Sequence, residues 1–384
     1  MRFDVRSAVI AKVVHFWIQT SPHSRLHRRD AVVPLALWEC DHHFPPQQAL
    51  SPVGERIAIL GAGSWGTTVA SVLSPGHEIS LWARDELIAR EINERHTNSA
   101  YLGSHVLPGS IRATSSLEQA LEGASVVALA VPSHGVRSVL EKCALPLSAE
   151  IVVSLTKGLE EKSNLRMTEV IRQIWSPKFV GVLTGPNLAP EILLGQPTAS
   201  VIAMADAIVA KDLQEIFSTP ALRIYTNPDV VGCEIAGVAK NVMAIAIGMA
   251  AGLGLGDNTR ATLITRSLAE ISRLGQALGG ERQTFAGLAG LGDLVATSSS
   301  TKSRNFSFGF ALGEGRSIEE TTRRTRMVAE GVRSCRPVAG LADEHLIDVP
   351  IVKEVIAVCH EGSSPRDAML RLMSRVAKSE FDDQ

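Results

Sequence analysis

The sequence predicts an α/β fold in which an N-terminal doubly wound sheet is followed by an all-helical C-terminal domain. From Arg56 onward, short β-branched or aliphatic runs alternate with helical stretches, which is typical of βαβ units and a parallel sheet. After about Val231 the strand pattern stops, and longer apolar stretches with helical spacing follow. The chain has 384 residues, which is enough for two domains of roughly 100–200 residues each.

The predicted elements divide near residues 231–236. The strands are Ile57–Leu60, Glu78–Trp82, Val126–Val131, Ile151–Leu155, Val180–Thr184, Thr198–Ile202 and Arg223–Tyr225. The later helices span residues 235–255, 259–278, 305–313, 316–329 and 351–360, with glycine-rich connectors such as Gly287–Gly292 between them. We therefore expect one domain over residues 55–233 and a second over residues 234–384.

Composition and charge exclude several classes of protein. With 45% hydrophobic and 20% charged residues, the chain is not expected to be disordered, collagenous or a coiled coil. A net charge of -2 gives no general attraction to nucleic acid or to anionic membranes, so no nucleic-acid partner is expected. Five cysteines without a Cys-x-x-Cys spacing argue against a disulfide framework or a structural zinc site. The longest strongly apolar run, Val242 to Leu255, is shorter than the ~20 residues of a membrane-spanning helix, so we expect a cytoplasmic protein without an integral membrane segment.

Residues 1–54 show neither the strand nor the helix periodicity, although they hold five of the eleven histidines. This segment is interpreted as a disordered extension or as residues upstream of a translation start near Val53. A transit peptide is a further alternative, although the segment is not rich in serine. Cys40, Asp41, His42 and His43 have metal-binding side chains, but their crowded spacing in a proline-flanked segment argues against a site, and no metal is expected.

A glycine-rich motif directly follows the first predicted strand. Gly61-Ala62-Gly63-Ser64-Trp65-Gly66 has the G-x-G-x-x-G spacing and leads into the helical run Thr67–Leu73. In such a motif Gly61 makes the tight turn, Gly63 lets the backbone approach a pyrophosphate, and Gly66 permits close packing of helix on strand. The helix N-terminus adds free N–H groups and a positive dipole. The sequence therefore predicts a Rossmann-type dinucleotide site.

The end of the second strand bears on which dinucleotide binds. An acidic residue about 20 residues after the glycines would contact the ribose of NAD. Here the strand ends in Leu81-Trp82-Ala83-Arg84, and an arginine pairs with a 2′-phosphate instead. Arg84 therefore favours NADP(H), while the adjacent Asp85 keeps NAD open.

Polar residues also follow two later strands. Lys157 comes after the strand Ile151–Leu155, and Gly185-Pro186-Asn187 comes after Val180–Thr184. Open α/β sheets bind ligands at the carboxyl ends of their strands, so these residues are candidates for ligand contacts. For Lys157, an ordinary surface lysine is the alternative.

Lys240 and Asn241 interrupt a helix that is apolar almost all round. A lysine there is expected to be buried, and partial desolvation lowers its pKa toward a range useful for acid–base chemistry. Asp293 follows a glycine-rich run and either takes part in the same site or is the N-cap of the next helix. Ser303-Arg304-Asn305 offers a guanidinium with two short polar partners, which suits a phosphate, with a surface arginine as the alternative.

Together these motifs resemble one family, the bacterial-type NAD(P)-dependent glycerol-3-phosphate dehydrogenases. The matching segments follow the family's order over residues 55–380 and are 61–66, 131–133, 156–160, 184–189, 238–242, 290–293 and 303–305. The resemblance implies reversible NAD(P)H-dependent reduction of dihydroxyacetone phosphate to sn-glycerol 3-phosphate, which supplies glycerophospholipid synthesis.

The resemblance also implies roles for single residues. Lys240 corresponds to the family's catalytic acid/base, and Lys157 and Asp293 are further catalytic residues. Substrate contacts are implied for Lys157, Gly185, Asn187, Lys240, Asn241, Asp293, Ser303, Arg304 and Asn305. Cofactor contacts are implied for Gly61, Gly63, Ser64, Trp65, Gly66, Arg84, Lys157, Ala189, Arg304 and Glu330. The residue type at position 187 varies within the family, and residues 1–54 have no counterpart in its core pattern.

Two other functions fit parts of the pattern. A β-hydroxyacid dehydrogenase also combines a Rossmann domain with a helical domain that carries a catalytic lysine, but it acts on carboxylate substrates. A catalytically silent dinucleotide sensor would bind NADPH without turnover, and the set of Lys157, Lys240 and Asp293 argues against it. The expected partner is a small phosphorylated substrate, and a homodimer is one arrangement that the apolar helices of the second half allow.

Overall fold

The computed structural model describes residues 54–146, 148–325, 329–376 and residue 379. The interpretation of residues 1–54 as an extension or an upstream segment, and the cluster at residues 40–43, thus fall almost wholly outside the described residues and stay predictions. By their contacts, the described residues belong to one compact unit. The division at residues 233 and 234 therefore also stays a prediction.

A single sheet of eight strands lies within the described ranges. The strands are β1 (Arg56–Leu60), β2 (Glu78–Trp82), β3 (Arg112–Thr114), β4 (Val126–Leu129), β5 (Ile151–Ser154), β6 (Phe179–Thr184), β7 (Thr198–Ala203) and β8 (Leu222–Asn227). Their order is β3-β2-β1-β4-β5-β6-β7-β8, and all neighbours are parallel except β6 and β7. The order changes direction between β1 and β4, which is the doubly wound arrangement and confirms the predicted fold class.

Helices cover both faces of this sheet because alternate strand residues enter opposite cores. Ile57 and Ile59 of β1 belong to one hydrophobic cluster, whereas Ala58 and Leu60 belong to another. The accompanying helices are α1 (Ser64–Leu73), α2 (Glu86–Arg95), α3 (Ser99–Leu102), α4 (Leu117–Leu121), α5 (Val136–Leu140), α6 (Met167–Ile174), α7 (Ala189–Leu193) and α8 (Ala207–Phe217).

After β8 the described chain is helical. It contains α9 (Val230–Gly252), α10 (Asp257–Ala277), α11 (Arg282–Ala286), α12 (Asp293–Ser299), α13 (Arg304–Gly313), α14 (Ile318–Thr325), α15 (Glu330–Glu344), α16 (Pro350–Glu361) and α17 (Pro365–Met373). A π-helical turn, Leu288–Gly292, leads directly into α12. This confirms the prediction of an all-helical second part.

The sheet differs from the prediction at two strands. The sequence does not predict β3, because its three residues contain no hydrophobic run. It also predicts a wholly parallel sheet, whereas β7 is antiparallel to β6. The correction concerns strand direction, which depends on the path of residues 185–197 and is not visible in strand composition.

The helical part departs from the prediction mainly at α15. Pro337 lies inside this helix, and a proline in a helical pattern argues against a helix because it lacks the N–H donor. The helix predicted over residues 316–329 ends at Thr325, and residues 326–328 lie outside the described part. The short α17 was also not predicted.

α9 is the central helix of the second part, and it is buried from Gly232 to Ala250. It is the one helix among the described residues that is long and apolar enough to cross a membrane, but 89% of its most apolar window is buried inside the protein. α10, α13, α15 and α16 pack around it. Its apolar composition is therefore explained by its place in the core.

α9 and α13 cross with their backbones in contact, and each contributes two glycines four residues apart, Gly248 and Gly252 with Gly309 and Gly313. A Cβ added at Gly248 would lie 2.2 Å from the Phe306 carbonyl oxygen, and one at Gly309 would lie 2.1 Å from the Ile245 carbonyl oxygen. Any larger side chain would push the helices apart. The crossing holds the start of α13 against the middle of α9.

Candidate functional site

The glycine-rich loop joins β1 to α1 at the carboxyl edge of the sheet. Gly61 has a φ of 124°, and a Cβ there would lie 2.7 Å from the Ala130 carbonyl oxygen. A Cβ at Gly66 would lie 1.9 Å from the Gly61 carbonyl oxygen, so loop and helix are too close for a side chain. At Gly63, in contrast, a Cβ would meet no heavy atom within 4 Å. The loop is closed toward the protein and open at Gly63, which is the shape that a pyrophosphate requires.

The first turn of α1 faces this open side. It begins with Ser64 and Trp65 and contains no acidic residue, so the positive end of the helix dipole is not neutralised within that turn. The Trp65 indole Nε1 is buried without a hydrogen-bond partner among the described residues. Ala189 is buried at the first position of α7, and α7 packs against α1. The structure thus brings these predicted cofactor residues together.

Arg84 and Asp85 differ in what their side chains already do. Asp85 is the N-cap of α2, and its carboxylate accepts a hydrogen bond from the Leu87 backbone N–H at 2.9 Å. Both residues are exposed just beyond β2. Asp85 therefore has a structural role at the start of α2, whereas Arg84 is an exposed residue after β2, at the carboxyl edge of the sheet.

Three charged side chains meet where β5 and β6 end. Lys157 Nζ donates to Asp293 Oδ2 at 2.6 Å and to the Gly185 carbonyl oxygen at 2.9 Å. Lys240 Nζ lies 3.1 Å from Asp293 Oδ1 and donates to Thr297 Oγ1 at 2.7 Å. The side chains of Lys157, Lys240 and Asp293 are only 16%, 8% and 2% exposed. One buried carboxylate therefore bridges two ammonium groups.

Burial and charge shift the protonation of this network. Burial is the main cause that lowers the pKa of Lys240 to about 8, and the Asp293 carboxylate only partly opposes it. Burial acts to raise the pKa of Asp293, but Lys157 and Lys240 together outweigh it and hold that pKa below its ordinary value. Asp293 stays ionised, while Lys240 can both donate and accept a proton near neutral pH. The sequence-based expectation that Lys240 is buried is confirmed.

Asp293 is oriented by the π-helical turn before it. This turn needs Gly290, because a Cβ there would lie 2.1 Å from the Phe285 carbonyl oxygen. The N-cap of α12 is Gly292, so the alternative in which Asp293 caps the helix is wrong. Asp293 is the first helical residue and turns inward, where Thr297, one turn later, donates to its Oδ1 at 3.2 Å.

The turn after β6 supplies backbone and amide groups beside Lys157. Gly185 has a φ of 119°, and its carbonyl oxygen faces Lys157. Asn187 Oδ1 accepts a hydrogen bond from Ser200 Oγ. Its Nδ2 is buried without a partner in the described part of the chain. This turn therefore has an unused donor near the lysines.

Asn241 and Asn305 form a chain of amide hydrogen bonds. Asn241 Nδ2 donates to the Lys157 carbonyl oxygen at 3.3 Å, and Asn305 Nδ2 donates to Asn241 Oδ1 at 2.8 Å. The Gly331 N–H donates to Asn305 Oδ1 at 2.9 Å. These bonds tie α9, α13 and α15 to the loop that carries Lys157.

Ser303 and Arg304 form the start of α13. Ser303 is the N-cap, and its Oγ accepts a hydrogen bond from the Phe306 N–H at 3.3 Å. Arg304 is the exposed first residue of the helix, and its charge acts on the pKa of both Lys240 and Glu330. The hydrogen bonds of Ser303 and Asn305 go to the helix cap and the interior, which differs from the expected role as polar partners beside the guanidinium. A helix N-terminus with an arginine still suits an anion.

Glu330 reaches the same region from the start of α15. Its Oε2 is buried without a hydrogen-bond partner among the described residues. A Cβ added at Gly158 would lie 3.6 Å from this oxygen, so the carboxylate lies beside the Lys157 loop. Burial raises the pKa of Glu330, and Arg304 and Arg333 oppose that shift. Because a buried acceptor without a donor is costly, this oxygen fits a ligand that brings an N–H group.

No group of three or more His, Cys, Asp or Glu within the described ranges is arranged to hold a metal ion. The groups that do converge are an open glycine loop, a helix N-terminus, an acceptor without a donor and a cationic network. Their chemistry fits a dinucleotide beside a small anion.

Comparison with known proteins decides the family. The family model described as the N-terminus of NAD-dependent glycerol-3-phosphate dehydrogenase matches residues 56–210, and the model of its C-terminus matches residues 229–370. The chain belongs to this family. A relative from Corynebacterium diphtheriae named glycerol-3-phosphate dehydrogenase (NAD(P)+) is 52% identical over 331 residues, which cover 85% of this chain and 100% of the relative. A relative from Sphingopyxis alaskensis with the same name, numbered 2, is 50% identical over 319 residues, which cover 83% of this chain and 96% of the relative.

Solved structures agree with this assignment to the glycerol-3-phosphate dehydrogenases. The crystal structure of glycerol-3-phosphate dehydrogenase from Coxiella burnetii is 37% identical in sequence, with a TM-score of 0.81 over 84% of this chain and 100% of that chain. A ketopantoate reductase from Ralstonia eutropha is 19% identical, with a TM-score of 0.53 over 82% of this chain and 99% of that chain. The second likeness shows the fold alone.

The sequence-based site omits Thr297, which the structure places between the two charged partners. Its hydroxyl accepts from Lys240 and donates to Asp293. The spacing of one helical turn from Asp293 was the available signal. Residues four apart share one helix face, but the sequence does not show which face of α12 points toward the lysines.

Proposed function

We propose that the chain catalyses the reversible reduction of dihydroxyacetone phosphate to sn-glycerol 3-phosphate with NADPH or NADH, and that it supplies glycerophospholipid synthesis. The buried network of Lys157, Asp293 and Lys240, at the same sheet edge as the open glycine-rich loop, carries this proposal. The names of the relatives, all glycerol-3-phosphate dehydrogenases, support the same reaction.

On the cofactor side, the backbone from Gly61 to Gly66, including Ser64 and Trp65, would hold the pyrophosphate at the start of α1. Ala189, Lys157 and Arg304 would border the rest of the dinucleotide, and Glu330 would accept a hydrogen bond through its unpartnered Oε2. When bound, the nicotinamide ring supplies the hydride in the reduction and accepts it in the oxidation.

Lys240 is the proposed acid and base. Because its pKa is about 8, it is largely an ammonium at neutral pH and donates a proton to the alkoxide oxygen that forms in the reduction. In the reverse direction the neutral amine removes the hydroxyl proton. Asp293 and Thr297 hold its nitrogen in place from two sides.

Lys157 and Arg304 are proposed to bind the charges of the substrate. An ammonium has three donors, and Lys157 uses two of them on Asp293 and Gly185, which leaves one for a substrate oxygen. Arg304 and the N-terminus of α13 would hold the phosphate, which turns the carbonyl toward Lys240. Around them, the remaining proposed pocket residues are Gly185, Asn187, Asn241, Ser303 and Asn305.

We propose that NADPH is the preferred cofactor. The Asp85 carboxylate caps α2 through Oδ1, so its orientation is set by the helix and not by a ribose. Arg84 is exposed beside it and would pair with a 2′-phosphate. NADH remains a substrate on this account, but a weaker one.

We also propose a domain division, an oligomeric state and a cellular location. Residues 55–233 would form the cofactor domain and residues 234–384 the substrate domain, a division that the separate family models over residues 56–210 and 229–370 support. Exposed apolar side chains of the second part, Leu291, Val295 and Phe310, support a homodimer. A cytoplasmic location agrees with the burial of α9.

The initial rate of NADPH oxidation with dihydroxyacetone phosphate, repeated with NADH, tests the reaction on the full chain. We expect turnover with both cofactors and faster turnover with NADPH. Tight NADPH binding without turnover would favour a sensor instead. Turnover with 3-hydroxyisobutyrate or 6-phosphogluconate, but not with dihydroxyacetone phosphate, would favour a β-hydroxyacid dehydrogenase.

A further inference from the structure

A buried amide lies behind the glycine-rich loop, outside the site described above. Asn98 lies directly before α3, and it is 0% exposed. Its Nδ2 donates to the Ala62 carbonyl oxygen at 2.9 Å and to Thr67 Oγ1 at 2.9 Å. Ala62 stands between the first two glycines of the loop, and Thr67 stands in α1. One side chain therefore ties the loop to the helix that follows it.

The chemistry of these partners determines how the Asn98 amide is oriented. A carbonyl oxygen only accepts hydrogen bonds, so the nitrogen and not the oxygen must face Ala62. As a result, Oδ1 is buried without a hydrogen-bond partner among the described residues. An acceptor in that state is costly, and its retention calls for a compensating role. The two bonds that the nitrogen makes to the loop and to α1 are the candidates for that role.

Peptide geometry connects Asn98 to the open side of the loop. A trans peptide is planar, and its C=O and N–H point in opposite directions. Because Asn98 holds the Ala62 carbonyl inward, the N–H of Gly63 in the same peptide points away from Asn98. We propose that Asn98 is a positioning residue for the dinucleotide, and that it fixes the Ala62–Gly63 peptide so that the Gly63 N–H is ready to donate to the pyrophosphate.

The anchor matters because the peptide that it holds lies between two glycines. Glycines on both sides of Ala62 have access to most backbone conformations. A loop that is free to turn must be ordered when a ligand binds, and that ordering weakens binding. Asn98 removes this cost before the dinucleotide arrives. The expected consequence is tighter binding of NADPH and NADH alike, with no effect on the proton transfer at Lys240.

The test compares Asn98→Ala with Asn93→Ala by fluorescence titration of the full chain with NADPH and with NADH. Asn93 lies in α2 and makes comparable internal bonds, to the Ala113 carbonyl oxygen at 2.8 Å and from the Ala113 N–H at 2.9 Å. Those bonds do not involve the loop. We expect Asn98→Ala to raise both Kd values about tenfold, equal to about 1.4 kcal/mol. We expect kcat at saturating cofactor and the KM for dihydroxyacetone phosphate to stay within about twofold, and Asn93→Ala to leave both Kd values unchanged.

Hydrogen exchange on the wild-type protein provides a second measurement that does not depend on the folding of a variant. The Gly63 amide should exchange fast in the absence of ligand and become protected when NADPH binds. A Gly63 amide that is already protected without ligand would overturn the proposal.

Two titration results would also overturn it, namely an unchanged Kd in a folded Asn98→Ala protein or an equal rise in Asn93→Ala. The proposal rests on the cofactor part of the proposed function, and the wild-type titration separates the two. If the wild type binds neither NADPH nor NADH, both fail. If it binds them and Asn98→Ala binds equally well, only the role of Asn98 fails.

Discussion

The two sides of the site are built from different groups. On the proposed cofactor side the groups are glycines, backbone N–H groups and a carboxylate oxygen of Glu330 that has no hydrogen-bond partner among the described residues. On the proposed substrate side they are two lysines and one aspartate, all mostly buried. The proposed cofactor side therefore depends on shape and open space, whereas the proposed substrate side depends on charges buried inside the protein.

The charges on the substrate side need each other to remain buried. A buried ion without a partner is strongly destabilising, and Asp293 provides the partner for both lysines. Two ammonium groups and one carboxylate leave an excess of one positive charge. That excess suits a phosphorylated substrate and the alkoxide that forms from its carbonyl.

The largest effect is expected from Lys240→Met, which removes the proposed proton donor and leaves the glycine-rich loop intact. We expect kcat for reduction of dihydroxyacetone phosphate to fall by about three orders of magnitude or more, while the Kd for NADPH stays within about twofold. Steady-state kinetics and cofactor titration check the two halves of this statement. Lys178→Met is the matched control, because Lys178 is an exposed lysine paired with Glu150. Turnover of Lys240→Met close to that of the wild type would contradict the role of Lys240 as the proton donor.

A smaller effect, which depends on the cofactor used, is expected from Arg84→Ala. The variant should lose about tenfold in kcat/KM with NADPH, because a charge-assisted contact to the 2′-phosphate is lost, and it should keep its kcat/KM with NADH. The ratio of the two values is the measurement. Arg90→Ala is the control, since Arg90 is exposed on α2 and paired with Glu86. An equal loss with both cofactors would place Arg84 elsewhere than at the 2′-phosphate.

The next largest effect is expected at the crossing that holds α13 against α9, the helix that carries Lys240. Gly309→Ala should lower the free energy of unfolding by about 1–3 kcal/mol, because its Cβ would meet the backbone of α9. Chemical denaturation measures this change. Gly76→Ala is the control, since a Cβ at Gly76 would meet no heavy atom within 4 Å. Equal stability of the two variants would contradict the close contact.

The smallest effect is expected at Glu270, a buried carboxylate in α10. Its carboxylate accepts the N–H groups of Ile351 and Val352 at 3.0 Å each, at the start of α16. Burial raises the pKa of Glu270 to about 7 although these bonds oppose the shift. A folded-state pKa above the unfolded value means that stability is lost as pH rises toward and through 7.

Glu270→Gln removes this titration. The Tm of the wild type should therefore fall relative to that of the variant between pH 5 and pH 8, and thermal unfolding at several pH values measures the difference. Parallel curves for the two proteins would contradict the raised pKa.

The geometry of the glycine-rich loop could be predicted from the sequence, because its glycines are neighbours in the chain. Gly61, Gly63 and Gly66 carry a fixed spacing, and the structure gives each of them the contact or the space that the motif requires. The substrate side is different, because Lys157, Lys240 and Asp293 lie far apart in sequence. Spacing could nominate each residue but could not show that one carboxylate bridges both lysines.

Other features were not predictable for physical reasons that can be named. Pro337 argues against a helix in the sequence, so α15 was not predicted. In the structure, burial of Val338 and Cys335 in the core offsets the loss of one helical hydrogen bond. The direction of β7 depends on a return path and not on the strand's own residues. Asn98 has no motif of its own, and only its contacts with Ala62 and Thr67 draw attention to it.

The most direct test of the shared carboxylate is the pH dependence of hydride transfer in a single turnover, measured for the wild type and for Asp293→Asn. In the wild type we expect the reduction rate to fall as pH rises through about 8, because Lys240 loses the proton it must donate. In Asp293→Asn no carboxylate stabilises the ammonium form of Lys240, so the fall in the reduction rate should move about one to three pH units lower. An unchanged inflection in Asp293→Asn would contradict the account, because Lys240 would then titrate independently of Asp293.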